Sequence, residues 1–81
     1  MVIPITVTCY AGYRGEQEPR VLELGGKRVE VTSIQDRWLS PDHRYFKITG
    51  GDDCLYIVRH DSNTQIWELI YYQHPDAGGK G

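Results

Sequence analysis

Hydrophobic and polar residues alternate along short runs of this chain, with the two-residue period that is typical of β-strands. The first run, residues 5–10, places Ile5, Val7 and Cys9 on one face of a half-buried strand. No window shows the 3.6-residue period of an amphipathic helix, although residues 37–44 are long enough for one helical turn. The pattern therefore predicts strands throughout, separated by clusters of Gly, Pro, Asp and Asn.

The most regular stretch, residues 45–72, reads as three strands joined by two turns. The strands are rich in Tyr, Ile, Val and Trp, and they cover residues 45–49, 54–60 and 65–72. A two-residue turn on Gly51-Asp52 is compatible with a type II′ hairpin, which needs a positive φ at its first central residue. That turn predicts Ile48 opposite Leu55 and Phe46 opposite Ile57.

The second hairpin of this stretch is registered by matching apolar residues, because a one-residue slip exchanges the two faces of a strand. A three-residue loop over residues 62–64, with Asn63 in the left-handed conformation, sets Ile57 opposite Leu69 and Arg59 opposite Trp67. A four-residue loop is disfavoured, because it places a glutamate opposite Ile57. We therefore expect Arg59 to lie across the ring of Trp67. The predicted core face consists of Phe46, Ile48, Leu55, Ile57, Trp67, Leu69 and Tyr71.

An earlier hairpin is predicted around the dipeptide Gly25-Gly26, with strands over residues 20–24 and 27–31. In this register Leu22 faces Val29, and on the other face Glu23 meets Arg28. Beyond residue 31 the apolar positions change from odd to even numbers, at Ile34 and Trp38. A bulge near residues 32–33 would reconcile the two halves and bend the strand, which predicts that Ile34 and Trp38 continue the buried face.

These elements predict one all-β domain over residues 1–73, with about six antiparallel strands in a curled meander or small SH3-like barrel. Residues 74–81 contain nothing that can anchor them in a core and are predicted to form a disordered tail. A turn is expected at residues 39–43, where Pro41 removes a backbone donor and restricts the residue before it.

Charge and composition narrow the function only slightly. The 9 basic and 11 acidic residues give a net charge of −2, and nucleic-acid binders usually carry a basic excess. The N-terminal residues have neither a signal peptide nor a membrane span, so a cytoplasmic location is expected. Cys9 and Cys54 lack C-x-x-C spacing and are expected to be reduced cysteines in or beside the sheet.

A pattern of short segments runs along most of the chain. It comprises CYAGYRGE at residues 9–16, DRW at 36–38, YFKI at 45–48, YIVRHD at 56–61 and WEL at 67–69. This pattern resembles a family of short bacterial proteins described as hypothetical or cytoplasmic proteins, a domain of unknown function. The resemblance covers residues 8 to 72, implies a bacterial cytoplasmic protein and supplies no activity or site residues.

The sequence contains no clear pattern of catalytic or metal-binding residues. His60 and Asp61 are adjacent in a strand and point to opposite faces, so the pair reads as a strand end followed by an Asx turn. The His and Cys residues are scattered without the spacing of metal ligands, and no cofactor is expected. Arg14 lies in a glycine-containing loop that lacks the lysine and helix of a phosphate loop, although it remains a candidate for binding an anion.

The predicted outward face of residues 45–72 is too apolar for a surface wholly in water. The candidate binding residues are Tyr45, Lys47, Tyr56, His60, Ile70, Tyr72 and Arg14. Three interpretations stay open: the N-terminal segment covers this face, two copies of the chain pair through it, or it binds a partner. The leading hypothesis is a non-enzymatic protein-binding module, acting through this face or a sheet edge. The alternative is a small barrel that stacks single-stranded nucleic-acid bases on its tyrosines.

Overall fold

Six β-strands follow one another in a computed structural model that describes residues 2–11 and 17–75. The strands are β1 Ile3–Ala11, β2 Gln17–Leu24, β3 Lys27–Leu39, β4 His43–Gly50, β5 Leu55–Asp61 and β6 Trp67–Gln73. Each strand is antiparallel to the next, and β6 also pairs with β1, which closes the sheet into a barrel. The prediction of a small all-β barrel with about six antiparallel strands is therefore confirmed.

The strands β1 and β3 change partners along their length. β1 pairs with β6 over residues 3–5 and with β2 from residue 6 onwards, and β3 pairs with β2 over residues 27–30. From Val31 onwards β3 pairs with β4, and the ladder shifts register between Val31 and Ser33. The predicted bulge is thus confirmed, and it lies where β3 bends from one partner to the other. A second shift, between Ile34 and Asp36, was not predicted.

The β2–β3 hairpin has the predicted register, with Leu22 opposite Val29 and Glu23 opposite Arg28. Gly25 and Gly26 have φ angles of 57° and 80°, the two left-handed residues that a type I′ turn requires. The predicted ion pair is present at 3.7 Å between Arg28 Nη1 and Glu23 Oε2, with both side chains exposed. At this exposure its contribution to stability is at most about 1 kcal/mol.

The β4–β5 hairpin departs from the predicted register by one residue, because its turn is one residue longer. Ile48 lies opposite Tyr56 rather than Leu55, and Phe46 lies opposite Val58 rather than Ile57. The left-handed residue of the turn is Asp53, with φ 66°. Gly50 precedes the turn at a crowded point, because a Cβ there would lie 2.5 Å from Cγ1 of Val29.

This one-residue change exchanges the two faces of β5. Tyr56 and Val58 are completely buried, whereas the predicted core residues Leu55 and Ile57 point outward and are half-buried. Tyr71, also predicted to lie in the core, is 45% exposed. Four predicted core residues are buried as expected: Phe46, Ile48, Trp67 and Leu69. The core is completed by Leu22, Val29, Cys54, Tyr56 and Val58, with Ile5, Val7, Cys9 and Ile34 packed against it.

The β5–β6 hairpin also differs from its prediction. Its loop places Gln65, not Asn63, in the left-handed conformation, and His60 rather than Arg59 lies opposite Trp67. A further register shift between Ile57 and Val58 sets Ile57 opposite Tyr71. The predicted Asx turn is present, because the carboxylate of Asp61 accepts hydrogen bonds from the backbone N–H groups of residues 63 and 64.

The structure also bears on the predictions for the two cysteines and for the C-terminal residues. Cys9 and Cys54 are both free, and Cys54 is buried. Of the predicted tail, His74 and Pro75 are exposed, and residues 76–81 lie outside the described part of the chain. Within residues 2–11 and 17–75 there is no helix of the length and apolarity needed to cross a membrane.

Candidate functional site

Beyond Glu30, the described strands pair with β3 along one of its edges and leave the other edge without a partner strand. Its last pair with β2 joins Glu30 to Val21, and residues 31–39 then pair with β4 on the opposite edge. Among the described residues no strand pairs with the second edge of β3 over residues 33–39, a segment that we call the open edge. An unpaired strand edge presents backbone donors and acceptors to a further strand.

Two large apolar side chains stand exposed on the open edge. Leu39 is 76% exposed, and Trp38 is 40% exposed and stacked on Tyr45, with ring centroids 5.3 Å apart and an interplanar angle of 3°. The prediction that Trp38 lies in the core is therefore wrong. The second register shift in β3 explains this. Ile34 lies opposite the buried Ile48, but one extra residue between Ile34 and Asp36 exchanges the two faces, so that the even-numbered Trp38 points outward.

A groove with a volume of about 530 Å³ runs along these side chains. It is lined by Arg37, Trp38, Leu39, Arg44, Tyr45 and Phe46. A somewhat larger hollow of about 630 Å³ lies beside the β2–β3 turn, but its lining has no aromatic ring and mixes Glu23 with Lys27 and Arg28. The chemistry of the walls, rather than the volume, therefore makes the groove at the open edge the candidate site.

Two arginines and no acidic residue line the groove. Arg37 Nη2 lies 3.0 Å from Oε2 of Glu18 on β2, and the guanidinium of Arg44 lies 5.3 Å above the ring of Phe46. The positive charge of Arg44 also affects the pKa values of His60 and Cys9. Burial lowers the pKa of His60 and Arg44 lowers it further, while burial raises the pKa of the Cys9 thiol against the opposing effect of Arg44.

The backbone of the open edge already binds one carboxylate. The N–H of Arg37 donates a hydrogen bond of 2.8 Å to Oδ1 of Asp36, its own neighbour in the strand. Asp36 is exposed, so this bond is accessible to solvent and to competing acceptors. A carboxylate in this place also discourages uncontrolled pairing of the edge with other strands.

The outward side chains next to the groove form a row across four strands. Trp38 lies opposite Tyr45, Tyr45 opposite Arg59, and Arg59 opposite Glu68. Arg59 Nε donates to Glu68 Oε1 at 2.7 Å, so the expected contact between Arg59 and the ring of Trp67 is wrong. Hydrogen bonds to Glu68 and then Tyr45 raise the pKa of Arg59. The ring of Trp67 is instead covered by His60, with centroids 4.7 Å apart.

The opposite end of the barrel carries a different polar cluster, which we call the closed-end network. The hydroxyl of Tyr56 donates to Oδ2 of Asp52 at 2.6 Å, and Lys27 Nζ donates to the same oxygen at 3.0 Å. Oδ1 of Asp52 accepts from the backbone N–H of Cys54, and the Cys54 thiol lies 3.6 Å from the Tyr72 hydroxyl. These groups satisfy one another, which is the arrangement of a structural cluster.

Ionisation of the closed-end network follows from these hydrogen bonds. Burial by itself would raise the pKa of Asp52, but the hydrogen bonds from Tyr56 and Lys27 outweigh burial and hold that pKa well below its ordinary value. Burial and the neighbouring carboxylate of Asp52 raise the pKa of Tyr56 far above the usual range for tyrosine. At neutral pH Asp52 is therefore an anion and Tyr56 is its neutral donor.

The structure separates the candidate binding residues that the sequence suggests. Tyr45 and Lys47 point outward as predicted, whereas Tyr56 and His60 are buried, because β5 presents its opposite face. Ile70 is half-buried, and Tyr72 packs on Tyr56 with ring centroids 5.2 Å apart. Arg14 lies outside the described residues.

Sequence reasoning missed the groove residues Arg37, Trp38, Leu39 and Arg44. Over residues 37–44 the sequence predicts the end of a strand, a turn or one helical turn. The available signal was the second phase change of β3, since Leu39 and Trp38 are adjacent and cannot both face the core of a regular strand. Among the described residues no three His, Cys, Asp or Glu side chains are placed to hold a metal ion. Comparisons with protein-family models, curated proteins and solved structures gave no match.

Proposed function

We propose that this protein is a non-catalytic binding module that takes an extended segment of another protein along the open edge of β3. The observation that carries this proposal is the coincidence of an unpaired strand edge with an exposed Leu39 and an exposed Trp38–Tyr45 stack. Strand addition obtains affinity from backbone hydrogen bonds and specificity from the alternating side chains of the added strand.

The two sides of the open edge offer different surfaces to such an added strand. Trp38 and Tyr45 lie on the outward side, while Arg37 and Phe46 lie opposite each other on the side that faces the barrel. Alternate residues of an extended segment would therefore contact an aromatic stack and a groove with cationic walls. Aromatic residues and arginine are also the residue types that dominate binding energy at protein interfaces.

A single-stranded nucleic acid is the second candidate ligand. The exposed ring of Trp38 beside Arg37 and Arg44 favours it, because bases stack on aromatic rings while arginines contact the phosphates. The net charge of −2 favours the protein ligand instead, because proteins that bind nucleic acid usually carry a basic excess.

Site-dependent capture tests the proposed function. The protein and its Leu39→Asp variant are used to capture partners from a cell extract treated with nuclease, and hydrogen exchange is measured at the backbone amides of residues 36–39. The matched control is Tyr71→Asp, which places the same charge at an exposed large hydrophobic residue of a different strand, β6. We expect Leu39→Asp to lose the captured protein, Tyr71→Asp to retain it, and the partner to protect the amides of the open edge.

Two results would contradict the proposed function. Capture that is equal for the parent and Leu39→Asp would place the binding surface elsewhere. Capture that disappears after nuclease treatment, together with binding of a short oligothymidylate that weakens steeply with salt, would favour the nucleic-acid candidate.

A further inference from the structure

The groove at the open edge has arginines in its lining and no acidic side chain. Arg37 and Arg44 contribute the charge, and the other lining residues are Trp38, Leu39, Tyr45 and Phe46. Guanidinium groups bind carboxylates with paired hydrogen bonds, which neutral donors do not match. The charge of the groove is therefore complementary to an anionic ligand.

Carboxylates of the chain itself show how such a ligand is held. Glu18 reaches the guanidinium of Arg37 at 3.0 Å, and Asp36 accepts the backbone N–H of Arg37 at 2.8 Å. Asp36 and Arg37 are exposed and the side chain of Glu18 is 40% exposed. Interactions at this exposure are weak, so a ligand can replace them. The backbone N–H and one guanidinium nitrogen of Arg37 are thus bonded to exchangeable acids rather than to buried structural partners.

The rest of the groove is lined by apolar and aromatic side chains, which favour a ligand with an apolar side chain next to its carboxylate. Leu39 is exposed at its end, and the Trp38–Tyr45 stack borders it along the outer side. Covering Leu39 and the ring of Trp38 with a bulky side chain removes apolar surface from water. In an extended segment, residues that alternate between acidic and apolar place each type on its own side of the strand.

In two of the registers available to it, a second copy of this chain brings like charges together at the open edge. Two open edges that pair antiparallel about a two-fold axis at Arg37 place the two arginines opposite each other, and an axis at Asp36 does the same with the two aspartates. Like charges directly opposite each other destabilise paired strands. The two copies would also bring the same cationic groove face to face.

We infer that the partner segment is acidic, an extended stretch in which carboxylate side chains alternate with bulky apolar ones. This inference rests on the proposed function and specifies the chemistry of the ligand. Arg37 contributes recognition twice, with its guanidinium toward one ligand carboxylate and its backbone N–H toward a ligand oxygen.

Three matched synthetic peptides test the inference. Each alternates isoleucine with one polar residue, which is glutamate, glutamine or lysine, and binding is followed by the amide resonances of residues 36–39 in nuclear magnetic resonance titrations. We expect the glutamate peptide to bind about tenfold tighter than the glutamine peptide, the lysine peptide to bind weakest, and the preference to shrink as salt increases.

Variants of the protein assign the preference to individual residues. Arg37→Gln should reduce the preference for glutamate over glutamine about fivefold. Arg28→Gln is the control, because Arg28 is also an exposed arginine paired with a glutamate, at the other end of the barrel. Asp36→Ser should tighten binding of the glutamate peptide several-fold, since it removes a competing acceptor and a like charge.

The outcomes separate this inference from the proposed function. Equal binding of the glutamate and glutamine peptides at the open edge would overturn the acidic specificity and leave the strand-binding function standing. Failure of all three peptides to perturb residues 36–39 would overturn both. Shifts of the same resonances that grow with protein concentration in the absence of peptide would show a second copy as the occupant, and would equally overturn the inference.

Discussion

The two ends of the barrel use the same kinds of side chain for opposite purposes. At the closed end Asp52 joins a buried tyrosine, a lysine and a backbone N–H in one network. At the open end Asp36 accepts a hydrogen bond from the exposed backbone N–H of Arg37, and the nearby ring of Trp38 stacks on Tyr45 at the surface. Each aspartate accepts a backbone hydrogen bond, but only Asp52 also satisfies a buried partner.

This difference separates residues that maintain the fold from residues that are free to bind. A buried hydroxyl without an acceptor costs free energy, so the closed-end network is constrained by stability. The groups at the open edge are exposed and satisfied by neighbours that are themselves exposed, so changes there leave the core intact. Substitutions at matched positions of the two ends should therefore have very different effects on unfolding.

The largest effect is expected for Tyr56→Ala at the closed end. Tyr56 is completely buried and contacts Tyr72, so its truncation leaves a cavity and should reduce the free energy of unfolding by about 3–5 kcal/mol. Urea denaturation followed by circular dichroism measures this change. Tyr71→Ala is the control on the outer surface and should cost less than about 1 kcal/mol. A loss for Tyr56→Ala as small as that for Tyr71→Ala would show that β5 has the opposite face inward.

Asp52→Ala should have the next largest effect, a loss of about 1–3 kcal/mol, because it leaves the buried hydroxyl of Tyr56 and the N–H of Cys54 without their acceptor. The matched variant at the open end is Asp36→Ala, which removes an aspartate bonded only to an exposed backbone N–H. We expect Asp36→Ala to change the free energy of unfolding by less than about 0.5 kcal/mol. Equal losses in urea denaturation would remove the distinction between the ends.

The acid stability of the protein should depend on Asp52. Its pKa is lower in the folded chain than the ordinary value of 3.8, so its contribution to stability is complete above that value and is lost as the pH falls below it. Hydrogen bonds from the backbone of Thr64 and Asn63 also lower the pKa of Asp61, which adds to the same decline. Between neutral pH and pH 2, the free energy of unfolding of Asp52→Asn should therefore fall less steeply with decreasing pH than that of the parent. An unchanged slope would mean that Asp52 is not ionised in the network.

The smallest effect is expected for Trp38→Ala at the open edge. Although tryptophan is the largest side chain, this one is 40% exposed and stacks on Tyr45 at the surface. Its removal should therefore alter the free energy of unfolding by about 1 kcal/mol or less. In a Trp67→Phe background, acrylamide should quench the fluorescence of Trp38 efficiently. A protected Trp38, or a loss as large as that of Tyr56→Ala, would place it in the core and remove the proposed groove.

Local chemistry was sufficient for several elements of this fold. The Gly25-Gly26 turn and the register of its hairpin follow from two residues that adopt positive φ without strain. The bulge after Val31 follows from the change of apolar positions from odd to even. The burial of Phe46, Ile48, Trp67 and Leu69 follows from alternation within their own strands.

The face of β5 was not determined by the same reasoning, because both of its faces are apolar. Leu55 and Ile57 match a core as well as Tyr56 and Val58 do, so the hydrophobic pattern alone does not distinguish them. The longer turn is selected by contacts that form only in the folded chain, in which Asp52 accepts from both the N–H of Cys54 and the hydroxyl of Tyr56.

By itself the sequence determined an all-β chain of about six strands, the β2–β3 hairpin, one bend of β3 and the burial of Phe46, Ile48, Trp67 and Leu69. Tertiary structure alone decided which face of β5 is buried and that Trp38 lies outside. The physical reason is that alternation reports only which residues share a face, whereas the environment of each face depends on which strand lies beside it. For β3 that neighbour is lost beyond Glu30, and the open edge is the result.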